Sequence, residues 1–271
     1  MRAFALLLAG PLLALPASPQ HPATEAQAGA PSAPAAAPAP PSRIEPKAQQ
    51  ILDRTLQALG GSAFLSFKTL TTHGRAFTVY NGAAQGFVYF DSQVEYPDKR
   101  RVSYGLGKKN QPIVLINNGS TGWEIDRMGV VPQEPADLQR WKIGNRYSLE
   151  NLFRLHLRSL GVLIQTAGVD FVDNLPVDVL EVIDAEQAEV KIDVNKQDAL
   201  PLEITYRSWN SKTEDWDEYS DTYSDYQRFQ GVATPMHITR SLNGRRVGET
   251  FRSSALYNDA YASGLFAAPG G

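Results

Sequence analysis

Hydrophobic positions along this chain change their period three times. Ile51, Leu52, Thr55, Leu56 and Leu59 recur at helical spacing after Glu45, while Asp53, Arg54 and Gln57 fall off the stripe. Gly60-Gly61 predicts the helix end, because glycine takes a left-handed C-terminal cap without steric cost. The period then drops to two over 70–80, 85–96, 100–106 and 112–117, runs rich in aromatic and β-branched residues. Asn81-Gly82, Pro97-Asp98, Lys109-Asn110 and Asn118-Gly119 punctuate them as turns. A helical pattern returns over 135–160, with Leu149, Leu152, Phe153, Leu155 and Leu160 mostly on one stripe and Gly161 as a stop. Gly144 and Asn145 are expected to split it into two helices. Alternation resumes over 177–183, 188–194, 201–209, 215–229, 232–242 and 245–257, and Asn243-Gly244 is a strong hairpin signal. Strands do not alternate with helices as in a parallel sheet. The expected fold is β-rich α+β. It is an incomplete antiparallel β-barrel, a curled sheet of about ten or eleven strands with helices covering its concave face, because so large a sheet must curl, close or split.

Composition changes this picture mainly at the N-terminus. Met1-Arg2 followed by an apolar run over 3–15 and the small residues Pro16-Ala17-Ser18 reads as a cleavable export signal over 1–17. The run is shorter than the roughly 20 apolar residues that span a bilayer. Residues 18–42 are almost wholly Ala and Pro, without aromatic or large aliphatic side chains, and read as a disordered, polyproline-biased tether. The folded domain is expected over 43–271, in the periplasm or outside the cell, with peripheral membrane contact at most. Cysteine is absent, so disulfides, thiol chemistry and cysteine-linked lipidation are excluded. A formal net charge of −3 gives no field favouring nucleic acid.

Candidate chemistry is sparse. His21, His73, His156 and His237 lie on separate elements without metal-ligand spacing, so no metal and no cofactor is expected. The acidic run from Glu214 fails as a calcium loop, since Tyr219, Ser220 and Tyr226 occupy its fifth, sixth and twelfth positions. It reads instead as a strand whose Asp217, Tyr219, Asp221, Tyr223 and Asp225 share a solvent-facing side. No GxSxG elbow or phosphate loop is present, and no pair of carboxylates is singled out, so no enzyme is expected. Apolar strand faces remain. Phe77, Val79, Trp123, Leu152, Phe153, Ile192, Leu202, Ile204, Tyr206, Met236 and Ile238 are candidates to line a cavity between sheet and helices, against the alternative of a filled core.

The order of short motifs resembles the LolA-like, outer-membrane lipoprotein-sorting superfamily. A helix ending in Ala58-Leu59-Gly60-Gly61 precedes a first strand with Leu70 and Gly74-Arg75. Tyr96-Pro97-Asp98-Lys99-Arg100, the hairpin from Asn117 to Trp123, the hairpin from Asp193 to Leu202 and the turn from Asp225 to Pro235 follow, and the chain closes on Asn258-Asp259 and Leu265-Phe266. The resemblance implies an incomplete barrel holding acyl chains, hence a non-catalytic carrier for a lipid or acylated lipoprotein. The Ala/Pro tether is foreign to that pattern and marks a divergent paralogue. The alternative is an envelope structural or interaction module that binds a protein partner.

Overall fold

The computed structural model describes residues 41–105 and 112–268. The expected signal over 1–17, and all but the end of the expected tether over 18–42, lie outside the described residues.

Pro46 opens the first helix, α1 (Pro46–Leu59), at a position where its missing N–H costs nothing. Gly60 closes it at φ 132°. A Cβ there would also lie 2.6 Å from the Gly231 carbonyl oxygen, so both conformation and space require glycine. A short α2 (Ser62–Ser66) follows, with Phe64 buried. The next strands form a continuous meander: β2 (Thr69–Tyr80), β3 (Ala83–Glu95), β4 (Lys99–Gly105), β5 (Ile113–Asn118), β6 (Thr121–Asp126) and β7 (Gly129–Pro132). Then come α3 (Pro135–Arg146) and α4 (Leu149–Arg154), and a 3-10 turn over His156–Arg158. The second run comprises β8 (Leu163–Val172), β9 (Leu175–Ile183), β10 (Glu189–Asn195), β11 (Pro201–Asn210), β12 (Asp215–Phe229), β13 (Val232–Leu242) and β14 (Arg245–Tyr257). A two-residue β1 (Arg43–Ile44) pairs parallel to β8.

All of these strands join one curled, unclosed sheet in the order β1-β8-β9-β10-β11-β12-β13-β14-β2-β3-β4-β5-β6-β7. The two halves of the chain meet where β14 pairs antiparallel with β2. The sheet therefore has 14 strands, more than expected, and one parallel pairing. The additional strands are β1, β6, β7 and β8. β8 escaped the pattern because Ala167-Gly168 interrupts its alternation and Val169 and Phe171 are exposed rather than core-facing. The helical segment divides at Tyr147-Ser148, not at Gly144-Asn145, because the Ser148 hydroxyl caps α4 by accepting from the Asn151 N–H. Leu155 and Leu160, expected on the buried stripe, are exposed.

The main core lies between the sheet and α1, α2 and α4. Ile51, Leu52 and Leu59 of α1, Phe64 of α2 and Phe153 of α4 pack with Leu70, Ile164, Leu180, Ile192, Ile204 and Tyr223. Two smaller clusters occupy the opposite, outer face. One holds Val177, Val179 and Leu202; the other seats Phe266 of the C-terminal segment on Val114 and Ile116. One expected face is reversed: Tyr223 is in the main core and Asp221 is buried, so that side of β12 faces inward, not solvent. Among the described residues, no helix is long and apolar enough to cross a membrane.

Candidate functional site

Strand alternation sorts the inward surface into a filled part and a wet part. Beneath α4 it is filled. Leu152, Phe153, Ile192, Ile204 and Tyr206 come together in the main core, and Ile238 packs at its edge. Met236, two residues away on the same strand face, is buried, as is Val79 near the end of β2. The remaining candidates point elsewhere. Phe77 lies on the outer face between Phe87 and Phe251, with ring centroids 5.6 and 5.5 Å away. Trp123 packs on the outer face with the C-terminal cluster. Leu202 sits where the β10–β11 register shifts, and that irregularity turns it to the outer face against Val177 and Val179.

Beyond α4 the inward face of β3–β5 is different. Register places Val88, Phe90 and Val94 of β3, Arg100, Val102 and Tyr104 of β4, and Ile113 and Leu115 of β5 on the side that carries Leu70 into the core. Only Phe90 and Val102 of these are buried; the others stay partly accessible. α3 buries no residue of its own. It is tied down just before its start by Gln133, whose side chain accepts from Asn117 Nδ2 at 2.8 Å, and at its end by Asn145, which donates to the Pro97 carbonyl at 2.9 Å, and Arg146, which holds Asp184 at 2.8 Å.

Arginines line the wet part. Arg240 of β13 grips Asp221 through two hydrogen bonds, Nε at 2.7 Å and Nη2 at 2.6 Å. Half its side-chain surface is exposed while that of Asp221 is 6 % exposed. Arg240 thus stands on the inward face two residues beyond Ile238 and lines the accessible part of the concave surface, the recess. The Asp221 carboxylate raises the Arg240 pKa further, against the effect of burial. Arg100 reaches the same space from β4. Its Nη2 donates to Asn117 Oδ1 at 3.3 Å, its Nε is buried without a partner, and burial lowers its pKa, with the Arg240 charge adding to that shift.

A second polar group lies under α4. The charge of the buried Glu150 acts on the hydroxyls of Tyr96, Tyr223, Tyr226 and Tyr257. Burial pushes the first three well up and Tyr257 up to about 12, so all four are neutral donors at physiological pH. Arg154 stacks over the Phe67 ring at 3.9 Å and donates to the Phe67 carbonyl.

The inward face thus sets two guanidinium groups beside a partly accessible apolar wall, with the buried hydroxyls in the packed part under α4. Two histidine pairs lie on the outer face instead. His73 contacts Asp91, and Ser224 Oγ is 3.2 Å from His237 Nδ1, but the other nitrogen of His237 meets Thr239 rather than a carboxylate. Sequence reasoning did not single out Arg100, Asp221, Arg240 or Glu150. The signal was present: Arg100 alternates with Val102 and Tyr104, and Arg240 with Ile238.

No family model matches the chain, and no curated protein is similar to it in sequence. Solved structures are similar in fold. A DUF1329 family protein from Desulfovibrio piger superposes with a TM-score of 0.53 at 10% identity, covering 81% of this chain and 96% of that one. A domain assigned to the outer membrane lipoprotein-sorting proteins from Vibrio parahaemolyticus gives 0.51 at 11% identity, covering 81% and 97%. A LolA superfamily protein from Nitrosomonas europaea gives 0.47 at 13% identity, covering 79% and 94%. The first two superpositions show a shared architecture, a curled and incomplete barrel.

Proposed function

We propose that this chain is a non-catalytic carrier of the bacterial envelope that holds the acyl chain of a lipid or lipoprotein against the concave face of its sheet. The observation that carries this reading is the partly accessible inward wall of Val88, Val94, Tyr104, Ile113 and Leu115, which the packed core under α4 does not cover. An apolar surface left wet inside a fold is where an apolar ligand gains most from binding. The LolA-like fold supports the same reading, and so does the export signal expected over 1–17. The cavity candidates divide accordingly: Met236 and Ile238 border the recess, while Leu152, Phe153, Ile192, Ile204 and Tyr206 form the packed floor beside it.

Native mass spectrometry of the protein purified from a bacterial host tests the proposal. The expected result is a bound species of lipid mass, lost on delipidation and regained on incubation with acyl-chain probes. A protein that arrives empty and takes up no acyl probe overturns it. A second reading, an envelope module that binds a protein partner, rests on Trp209 and Trp216. Both are more than half exposed, with centroids 5.6 Å apart at the β11–β12 turn. Crosslinks to a protein in cells that survive lipid extraction would favour it.

A further inference from the structure

We infer that the ligand is an anion and that its charged group, a carboxylate or a phosphate, is seated at Arg100. The inference rests on the carrier reading and deepens it. Arg100 is an inward-facing cation on β4 whose one hydrogen-bond acceptor among the described residues is a neutral amide, Asn117 Oδ1 at 3.3 Å. Its Nε is buried and unpartnered. The charge that acts on it is a second cation, Arg240 of β13. The carboxylate of the recess, Asp221, is already engaged by both Nε and Nη2 of Arg240. A guanidinium whose Nε is buried without an acceptor, and which has no carboxylate of its own among the described residues, is unfavourable until an anion arrives.

The surroundings are built around that guanidinium. Asn117 is fully buried and turns its amide oxygen to Arg100 and its nitrogen to Gln133 Oε1 at 2.8 Å; Gln133 Nε2 in turn reaches the Trp123 carbonyl at 3.4 Å. Gly122 gives this relay its space, since a Cβ there would lie 2.5 Å from Gln133 Oε1 and 3.0 Å from Asn117 Nδ2. The relay holds the guanidinium through Nη2 and leaves Nε unpartnered, a donor that a carboxylate or phosphate oxygen displacing its neighbours would satisfy. Val102 and Tyr104 continue along the same face of β4, so an acyl chain attached to the anion meets apolar surface at once.

Delipidated full-length protein is titrated with oleate, oleoyl lysophosphatidate and neutral monooleoylglycerol, for wild type and for Arg100→Gln, Arg100→Lys and the outer-face control Arg75→Gln. Wild type and Arg75→Gln are expected to bind at least one anionic probe about tenfold more tightly than the neutral one, the scale of a charge-assisted hydrogen bond. The ratio of oleate to lysophosphatidate tells carboxylate from phosphate. Arg100→Gln loses the preference but still binds monooleoylglycerol, and Arg100→Lys keeps a weakened preference. Equal binding of charged and neutral probes by wild type, or an undiminished preference in Arg100→Gln, overturns the anion assignment while the carrier reading stands. If Arg100→Gln does not fold, an Arg100→Lys protein indistinguishable from wild type overturns it instead. Failure of wild type to bind any probe overturns both.

Discussion

Asp193 shows how one residue can work against its own fold. Its side chain is 1 % exposed, neither carboxylate oxygen makes a hydrogen bond, and its ion-pair partner Lys191 stands 3.2 Å away. Burial pushes its pKa up to about 6 despite the opposing pull of Lys191. A carboxyl whose folded pKa lies above its unfolded one costs stability wherever it is ionised, and that cost vanishes as pH falls below the unfolded value. Asp193→Asn is therefore expected to be more stable than wild type at pH 8, by up to about 3 kcal/mol for a shift of about two units. The advantage shrinks through pH 6 and levels off below the ordinary carboxylate range. Urea denaturation of both proteins across that window checks it, and an advantage that grows toward acid would contradict it. At this scale the sequence was legible in period but not always in side. Residues 217–225 were correctly read as alternating, yet the aspartates suggested an outer face. Tyr223 in the core and Asp221 locked to Arg240 show that a tyrosine-rich stripe can bury its acids when an arginine two strand-residues from Ile238 meets them.

Among the elements, the junction of α3 and α4 is held mainly by polar contacts to the β9–β10 turn. Asp184 accepts from Tyr147 Oη at 2.9 Å, from Arg146 Nη2 at 2.8 Å, and from the backbone N–H groups of Glu186 and Ala188. Burial acts to raise the Asp184 pKa, but these hydrogen bonds and the Arg146 charge together hold it below the usual carboxylate value. Its contribution is thus present above the ordinary carboxylate range and lost as pH falls through the depressed value. Asp184→Ala should lower stability by about 3–5 kcal/mol at pH 7, the scale of breaking a buried pair. Calorimetry should show the wild-type and variant transitions converging in acid; a pH-independent gap would count against the assignment. Hairpins were the most legible elements, because Asn243 and Gly244 accept φ of 51° and 71° and fix β13 against β14. β8 was the least, since Ala167-Gly168 breaks its alternation and Val169 and Phe171 are exposed although its partner β9 is next in the chain. The recess was not legible because β4 and β13 lie far apart in the chain and share a face only through the order of strands in the sheet.

For the molecule as a whole, the curl divides one sheet into a firm half and a loose half. α1 and α4 are anchored by fully buried Leu59, Leu152 and Phe153, whereas α3 contributes no buried residue. Amides of α3 should therefore exchange with solvent at least about tenfold faster than those of α4 and α1, as expected where few apolar contacts oppose local opening. Bound oleate should slow α3 selectively. Hydrogen exchange read by mass spectrometry tests both, and uniform protection across the three helices would refute the division.

The unclosed sheet also has two edges, and how it ends them matters for life at high concentration. A strand edge offers unpaired backbone groups to any passing chain, the first step toward fibres and tangled dimers. Here one edge is the two-residue β1 and the other the four-residue β7, which finishes on a proline that has no N–H to give. The β7 end is thus a stub too short to template a further strand, whereas at the other end β1 covers only Leu163 and Ile164 of the ten-residue β8, so any strand recruited by this open curl would join there.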